Sequence, residues 1–356
     1  MKKHIVFLLH GVGKHTEGWA KDPIIKIKEK IDTILTETNK QPRFELEFKE
    51  LTYGDIIDTN MATMIEGAAE WEPLHNFLST GLAERNNTNH EPDNNKEKIV
   101  SGLRDYALDV PTYILNPEIT DLVLIPLVNN VVDTIKENPG AKFSFICHSL
   151  GTKVGFDLIH RLYSGGSDFN VLPSGLPEDG SPEIRSFYQL ASIPEVMNKF
   201  DAHDRNPSNT FIKVCKMSDM GEQFGVITHS YRIFGNKFDP IVWIGLSKNI
   251  SPTVYTSKIQ LDYIDRAWMH DFDLYLDHPK VYLPLVEDLC NVVLDSNFKQ
   301  EKITAYDNSD NNLNDEYNDI YSELKDIVNE NSNGINLYKM INDIKTIIEK
   351  LKLLDL

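Results

Sequence analysis

The stretch that most restricts the fold runs from Lys142 to Gly151, where an apolar segment ending at Cys147 passes directly into His148-Ser149-Leu150-Gly151. Val154, Phe156, Leu158, Ile159 and Leu162 then mark a helix. A short apolar run without polar alternation is a strand covered on both faces. The chain therefore turns from a buried strand into a helix within a few residues. The amino-terminal segment repeats this plan. His4 to Leu9 is apolar and rich in branched residues, His10-Gly11-Val12-Gly13 ends it, and Ile24, Ile27, Ile31, Ile34 and Leu35 recur at helical spacing behind Pro23.

The rest of the chain extends the alternation. Phe44 to Tyr53 alternates apolar with charged residues, the period-two pattern of an outer strand with one wetter face. Leu122, Ile125, Val128, Val132 and Ile135 predict a helix closed by Asn138-Pro139-Gly140. Further strands are expected at Phe187 to Ala191, Phe211 to Lys216, Tyr231 to Phe234 and Val254 to Leu261. Strands alternating with helices indicate α/β architecture with a mainly parallel sheet flanked by helices. The expected organisation is one such domain over residues 1–297, with an insertion at about 54–118, followed by a polar linker and carboxy-terminal helices over 298–356. The insertion has scattered aromatics (Trp71, Phe77, Tyr106, Tyr113) and reads equally as a lid or as surface decoration. In the tail, two amphipathic patterns read either as a helical hairpin packed on the domain or as an element for self-association.

Charge and cysteines narrow the classes of function. Fifty-four acidic against 36 basic residues give a net charge of -18, which repels phosphate backbones, so nucleic acid is not an expected partner. The three cysteines, Cys147, Cys215 and Cys290, have neither disulfide-framework nor zinc-ligand spacing and fit a reducing, cytoplasmic setting. The apolar run at the amino terminus stops at His10-Gly11, short of a signal peptide, although specialised export without a cleavable signal stays open. No run approaches the roughly 20 apolar residues that span a bilayer, so any membrane contact is expected to be peripheral.

Cys147-His148-Ser149-Leu150-Gly151 resembles the nucleophile elbow of α/β-hydrolases, in which a tight strand-to-helix turn projects a serine hydroxyl above the sheet edge. Cys147 stands where that motif usually has its first glycine; Gly151 keeps the second, and Gly151 and Gly155 let the helix lie close to the sheet. His10-Gly11-Val12-Gly13 is similar to the oxyanion loop of the same superfamily, and His-Gly-x-Gly with Gly18-Trp19 looks most like its bacterial lipase- and esterase-like members. The dinucleotide-binding and phosphate-binding glycine templates both fail here, at Thr16 and at Leu8 and His15.

The resemblance implies Ser149 as nucleophile, with oxyanion donors at the backbone N–H groups of Val12 and Leu150. The superfamily order of serine, acid, histidine implies Asp239, before Pro240, as the acid, with Asp262 and Asp265 as alternatives. It implies His270 as the base, with His278 as runner-up. Such a constellation requires no cofactor and no metal, and its substrate is a small-molecule or lipid acyl ester. Two other readings stay open at this point: a hydrolase-fold binding protein without chemistry, and a thioesterase or amidase using the same residues.

Overall fold

Six strands, β1 (Lys2–Leu9), β2 (Phe44–Leu51), β3 (Lys142–His148), β4 (Ile184–Leu190), β5 (Thr228–Asn236) and β6 (Thr256–Leu261), form one sheet in the order β2-β1-β3-β4-β5-β6. Every neighbouring pair is parallel. The structure is a computed structural model, and it describes residues 2–13, 15–67, 72–87, 95–164, 184–193, 228–237, 239, 256–261, 270–309 and 346. The helices are α1 (Lys21–Glu37), α2 (Gly54–Gly67), α3 (Glu72–Asn87), α4 (Asn95–Leu115), α5 (Pro117–Glu137), α6 (Leu150–Ser164), α7 (Phe272–Asp277), α8 (Pro279–Cys290) and α9 (Ser296–Asp307). The α/β architecture with a parallel sheet is therefore as the sequence predicts.

Side chains that alternate along a strand supply both faces of a covered sheet. From β1, Ile5, Phe7 and Leu9 enter one core with α5 and α6, while Val6 and Leu8 enter the other with α1 and α8. The helix after β1 and the helix after β3 thus lie on opposite faces of adjacent strands. A crevice opens between two such loops at the carboxyl ends of the strands, which is where open α/β sheets bind ligands. His10–Gly13 and His148–Gly151 are these two loops.

Two regions refine or differ from the sequence reading. The described residues of 54–115 are chiefly helical, with α2, α3 and α4 packed on one another and α2 and α4 against α5. The buried face of α5 carries Ile119, Val123, Leu124, Leu127, Val128, Val131 and Val132, whereas Leu122 is 49% exposed. Leu122 to Ile125 is an unbroken apolar tetrad, so spacing alone leaves the inward face ambiguous; packing on the sheet decides it. The expected Phe211–Lys216 strand, Cys215, Asp262, Asp265 and, apart from residue 346, the expected tail helices beyond residue 309 lie outside the described residues. Among those described, no helix is long and apolar enough to cross a membrane.

Candidate active site

The turn between β3 and α6 is built by close backbone approach. Ser149 sits between β3 and α6 with φ 51°, a left-handed conformation costly for a residue with a Cβ. Its N–H donates to Leu190 O at 3.0 Å, and its carbonyl accepts from Thr152 Oγ1 at 2.6 Å. A Cβ on Gly151 would collide with the His10 carbonyl and stand 2.8 Å from Leu9 O, so the elbow can lie against the end of β1 only with glycine there. Cys147 fills the space that Gly155 leaves: a Cβ on Gly155 would come 2.5 Å from Cys147 Sγ. The cysteine in place of the motif's first glycine is thus accommodated by a glycine one helical turn into α6.

Across the crevice, Gly11 packs on the serine, and a Cβ there would lie 2.8 Å from Ser149 Cβ and 3.3 Å from its Oγ. The loop's carbonyls are held elsewhere. Tyr53 OH donates to His10 O at 2.6 Å, His10 Nδ1–H to Gly11 O at 2.8 Å, and His15 Nε2–H to Val12 O at 3.1 Å. Tyr53 N–H donates to His10 Nε2, which fixes the neutral tautomer, and burial keeps His10 well below the usual histidine range. Leu150 is the first residue of α6, so its N–H is one of the donors a helix leaves without an internal acceptor.

Asp239 and His270 arrive from the far side. Asp239 follows β5, its N–H bonded to Asn236 O, and is fully buried. His270 precedes α7 and is 4% exposed. Its Nε2 lies 2.7 Å from Ser149 Oγ and its Nδ1 2.8 Å from Asp239 Oδ2. The structure therefore brings Ser149, His270 and Asp239 into one hydrogen-bonded chain. The arrangement lets a hydroxyl proton pass to Nε2 while the carboxylate receives the Nδ1 proton's hydrogen bond. His278 is placed differently: it caps α8, its Nδ1 accepting from Lys280 N–H at 3.1 Å, and its ring lies against Tyr306.

Two supporting residues escape sequence reasoning because no local pattern marks them. Tyr275 OH donates to Asp239 Oδ2 at 2.8 Å and accepts from Asn236 N–H at 3.1 Å; burial beside Asp239 pushes its phenol well up, so it stays a donor. His148 Nε2–H donates to the His270 carbonyl at 2.6 Å, tying the backbone of His270 to the residue before the serine. Burial and the neighbouring His270 keep His148 neutral.

Ser149, itself fully buried, is among the residues lining a cleft of about 400 Å³ that is walled by Trp19 and Phe272 and, from α4, by Gly102 and Asp105. Among the described residues no group of three or more His, Cys, Asp or Glu side chains is arranged to hold a metal ion. Comparison of the chain with protein-family models, with curated proteins and with solved structures finds no match.

Proposed function

We propose that the chain is a serine hydrolase of α/β-hydrolase type that cleaves carboxylic esters. The observation that carries this reading is the Ser149–His270–Asp239 chain, with the serine held at positive φ on the first turn of a helix. A serine hydroxyl is a weak nucleophile at neutral pH and needs a positioned base. In the proposed mechanism His270 Nε2 takes the Ser149 proton as Oγ attacks the ester carbonyl. The N–H groups of Val12 and Leu150 receive the developing oxyanion. His270 then protonates the departing alcohol, leaving an acyl-serine, and afterwards draws a proton from water for deacylation. Asp239 holds the imidazole tautomer throughout.

The cleft favours an uncharged acyl group. Asp22, Asp105, Asp271 and Asp273 line it, and among the described lining residues there is no lysine or arginine to receive an anionic group directly, although Arg85 pairs with Asp105 and Lys26 stands 3.9 Å from Asp273. The test is labelling with a fluorophosphonate and mapping the adduct by mass spectrometry. An adduct on Ser149, absent from Ser149→Ala, is the expected result, together with turnover of neutral acyl esters. A folded protein that gives no adduct and turns over no ester, thioester or amide would leave the pocket a binding site.

A further inference from the structure

We infer that Asp109, gripped by Arg85, is a positioning residue for the oxyanion loop, so that the helical insertion is part of the catalytic apparatus; the inference rests on the hydrolase reading above. Gly13 N–H, one residue beyond the proposed donor Val12, donates to Asp109 Oδ2 at 2.6 Å. Gly13 has φ 98°, a left-handed backbone that glycine adopts without a Cβ penalty. Asp109 stands on α4 and is itself held. Arg85 of α3 reaches Asp109 Oδ1 at 2.8 Å, Asp58 Oδ1 of α2 at 2.7 Å and Asp105 Oδ1 of α4 at 2.9 Å. One guanidinium, 3% exposed, thereby joins all three helices of the insertion behind one backbone N–H of the loop.

A buried ion cluster is a poor source of net stability, because desolvation offsets most of its attraction and apolar residues of the same size serve as well. It is good at fixing one geometry: Arg85 is oriented by charge-assisted hydrogen bonds to Asp105 and Asp58, which sets its charge against Asp109 Oδ1, while Asp109 Oδ2 takes the Gly13 N–H. Here the geometry it fixes is the loop. Tyr53 and His10 hold the carbonyls of residues 10 and 11 on one side of the Val12 amide, and Asp109 holds residue 13 on the other. The first residue of α2 closes on the same turn: a Cβ on Gly54 would stand 3.3 Å from both Gly13 O and His15 N.

The experiment compares Asp109→Ala and Asp109→Asn with wild type on a neutral nitrophenyl acyl ester and with an alkyl boronic acid, which forms a tetrahedral adduct on an activated serine. Losing part of an oxyanion donor's alignment should lower kcat of Asp109→Ala about 30-fold, with KM within about twofold. Boronic acid affinity should fall by the same factor, which a loss of stability alone would not produce well below the melting temperature. Asn keeps a neutral acceptor, roughly half as strong as a carboxylate, so its loss should be about fivefold in both readouts. If the Ala variant does not fold, the parallel fivefold loss in Asn carries the test. A folded variant with kcat and boronic acid affinity unchanged overturns the inference. Wild-type Ser149 that takes no fluorophosphonate would instead sink the hydrolase reading itself, so the two failures are distinguishable.

Discussion

The two sides of the crevice hold their residues by different physics. On the side of β1 and β3, Ser149 is placed by shape: a left-handed backbone, and glycines at 11 and 151 where any side chain would strike the neighbouring loop. On the side of β5 and α7, Asp239 and His270 are placed by hydrogen bonds from Tyr275 and His148. Sterics admit no enlargement, because a close-packed backbone has nowhere to move. Hydrogen bonds can be removed singly, each costing alignment rather than the fold. Enlarging a glycine on the first side should therefore show in folding, and removing a single hydrogen bond should show in turnover.

The most severe test asks whether the two sides act as one unit. Ser149→Ala and His270→Ala are each expected to lower kcat on an ester by about 10⁴- to 10⁶-fold, with the double variant no worse than either single one. Losses that multiply in the double variant would mean that the 2.7 Å contact between Oγ and Nε2 is not used in the reaction. Next comes the steric side. Gly151→Ala puts a methyl group against the His10 carbonyl and should cost about 3 kcal/mol, read from the midpoint of denaturant unfolding. Unchanged stability would show that the elbow can move away from β1.

The same division decides what the sequence discloses. Ser149, Gly151 and the His10–Gly13 loop are legible because strand, turn and helix are consecutive and the steric demand falls on residues a few places apart. The cysteine at 147 is compatible with that pattern only because Gly155 lies one turn ahead, a pairing also within local reach. Asp239 and His270 are legible only as members of short lists, since chain order constrains them and local spacing does not. Tyr275, His148 and Asp109 are not legible in these roles. Their bonds to Asp239, His270 and Gly13 cross 36, 122 and 96 residues, and a buried tyrosine or aspartate has no sequence signature apart from its partner. The face of α5 fails for another reason: apolar residues at four consecutive positions satisfy more than one helical stripe.

His270 and His278 sharpen the comparison, being eight positions apart in sequence yet differently used. His278 is lowered to about 3 by burial, so the folded state keeps it neutral while the unfolded chain protonates it near the ordinary 6.5. Between those values the unfolded state binds more protons, and stability falls as pH falls, by up to about 1.4 kcal/mol per pH unit from this one group. His278→Asn preserves a capping acceptor and removes the titration. Its stability should match wild type near pH 7.5 and exceed it near pH 5, by denaturant unfolding at the two pH values. His4, lowered by burial to about 4, adds to the same acid limb, so the slope should decrease rather than vanish. Ester turnover at pH 7.5 should be unchanged, and its loss would move the base from His270 to His278.

The smallest expected effect tests the hydrogen-bonded side alone. Tyr275→Phe removes the donor to Asp239 Oδ2 and the acceptor for Asn236 N–H while leaving the ring in the core. The carboxylate then keeps its bond to His270 Nδ1 but loses one hold on its orientation, so the imidazole is less well aimed at Oγ. About 1 kcal/mol of lost alignment corresponds to roughly a fivefold fall in kcat, with KM unchanged. Tyr188 supplies the control, because its buried hydroxyl makes a bond of the same kind, 2.6 Å to Asp288 Oδ2, and is not among the residues lining the cleft. Tyr188→Phe should lower the unfolding midpoint by a similar amount and leave kcat as it was. If both phenylalanine variants slow turnover alike, Tyr275 acts through general stability, and the contrast between the shaped side and the bonded side loses its support at that residue.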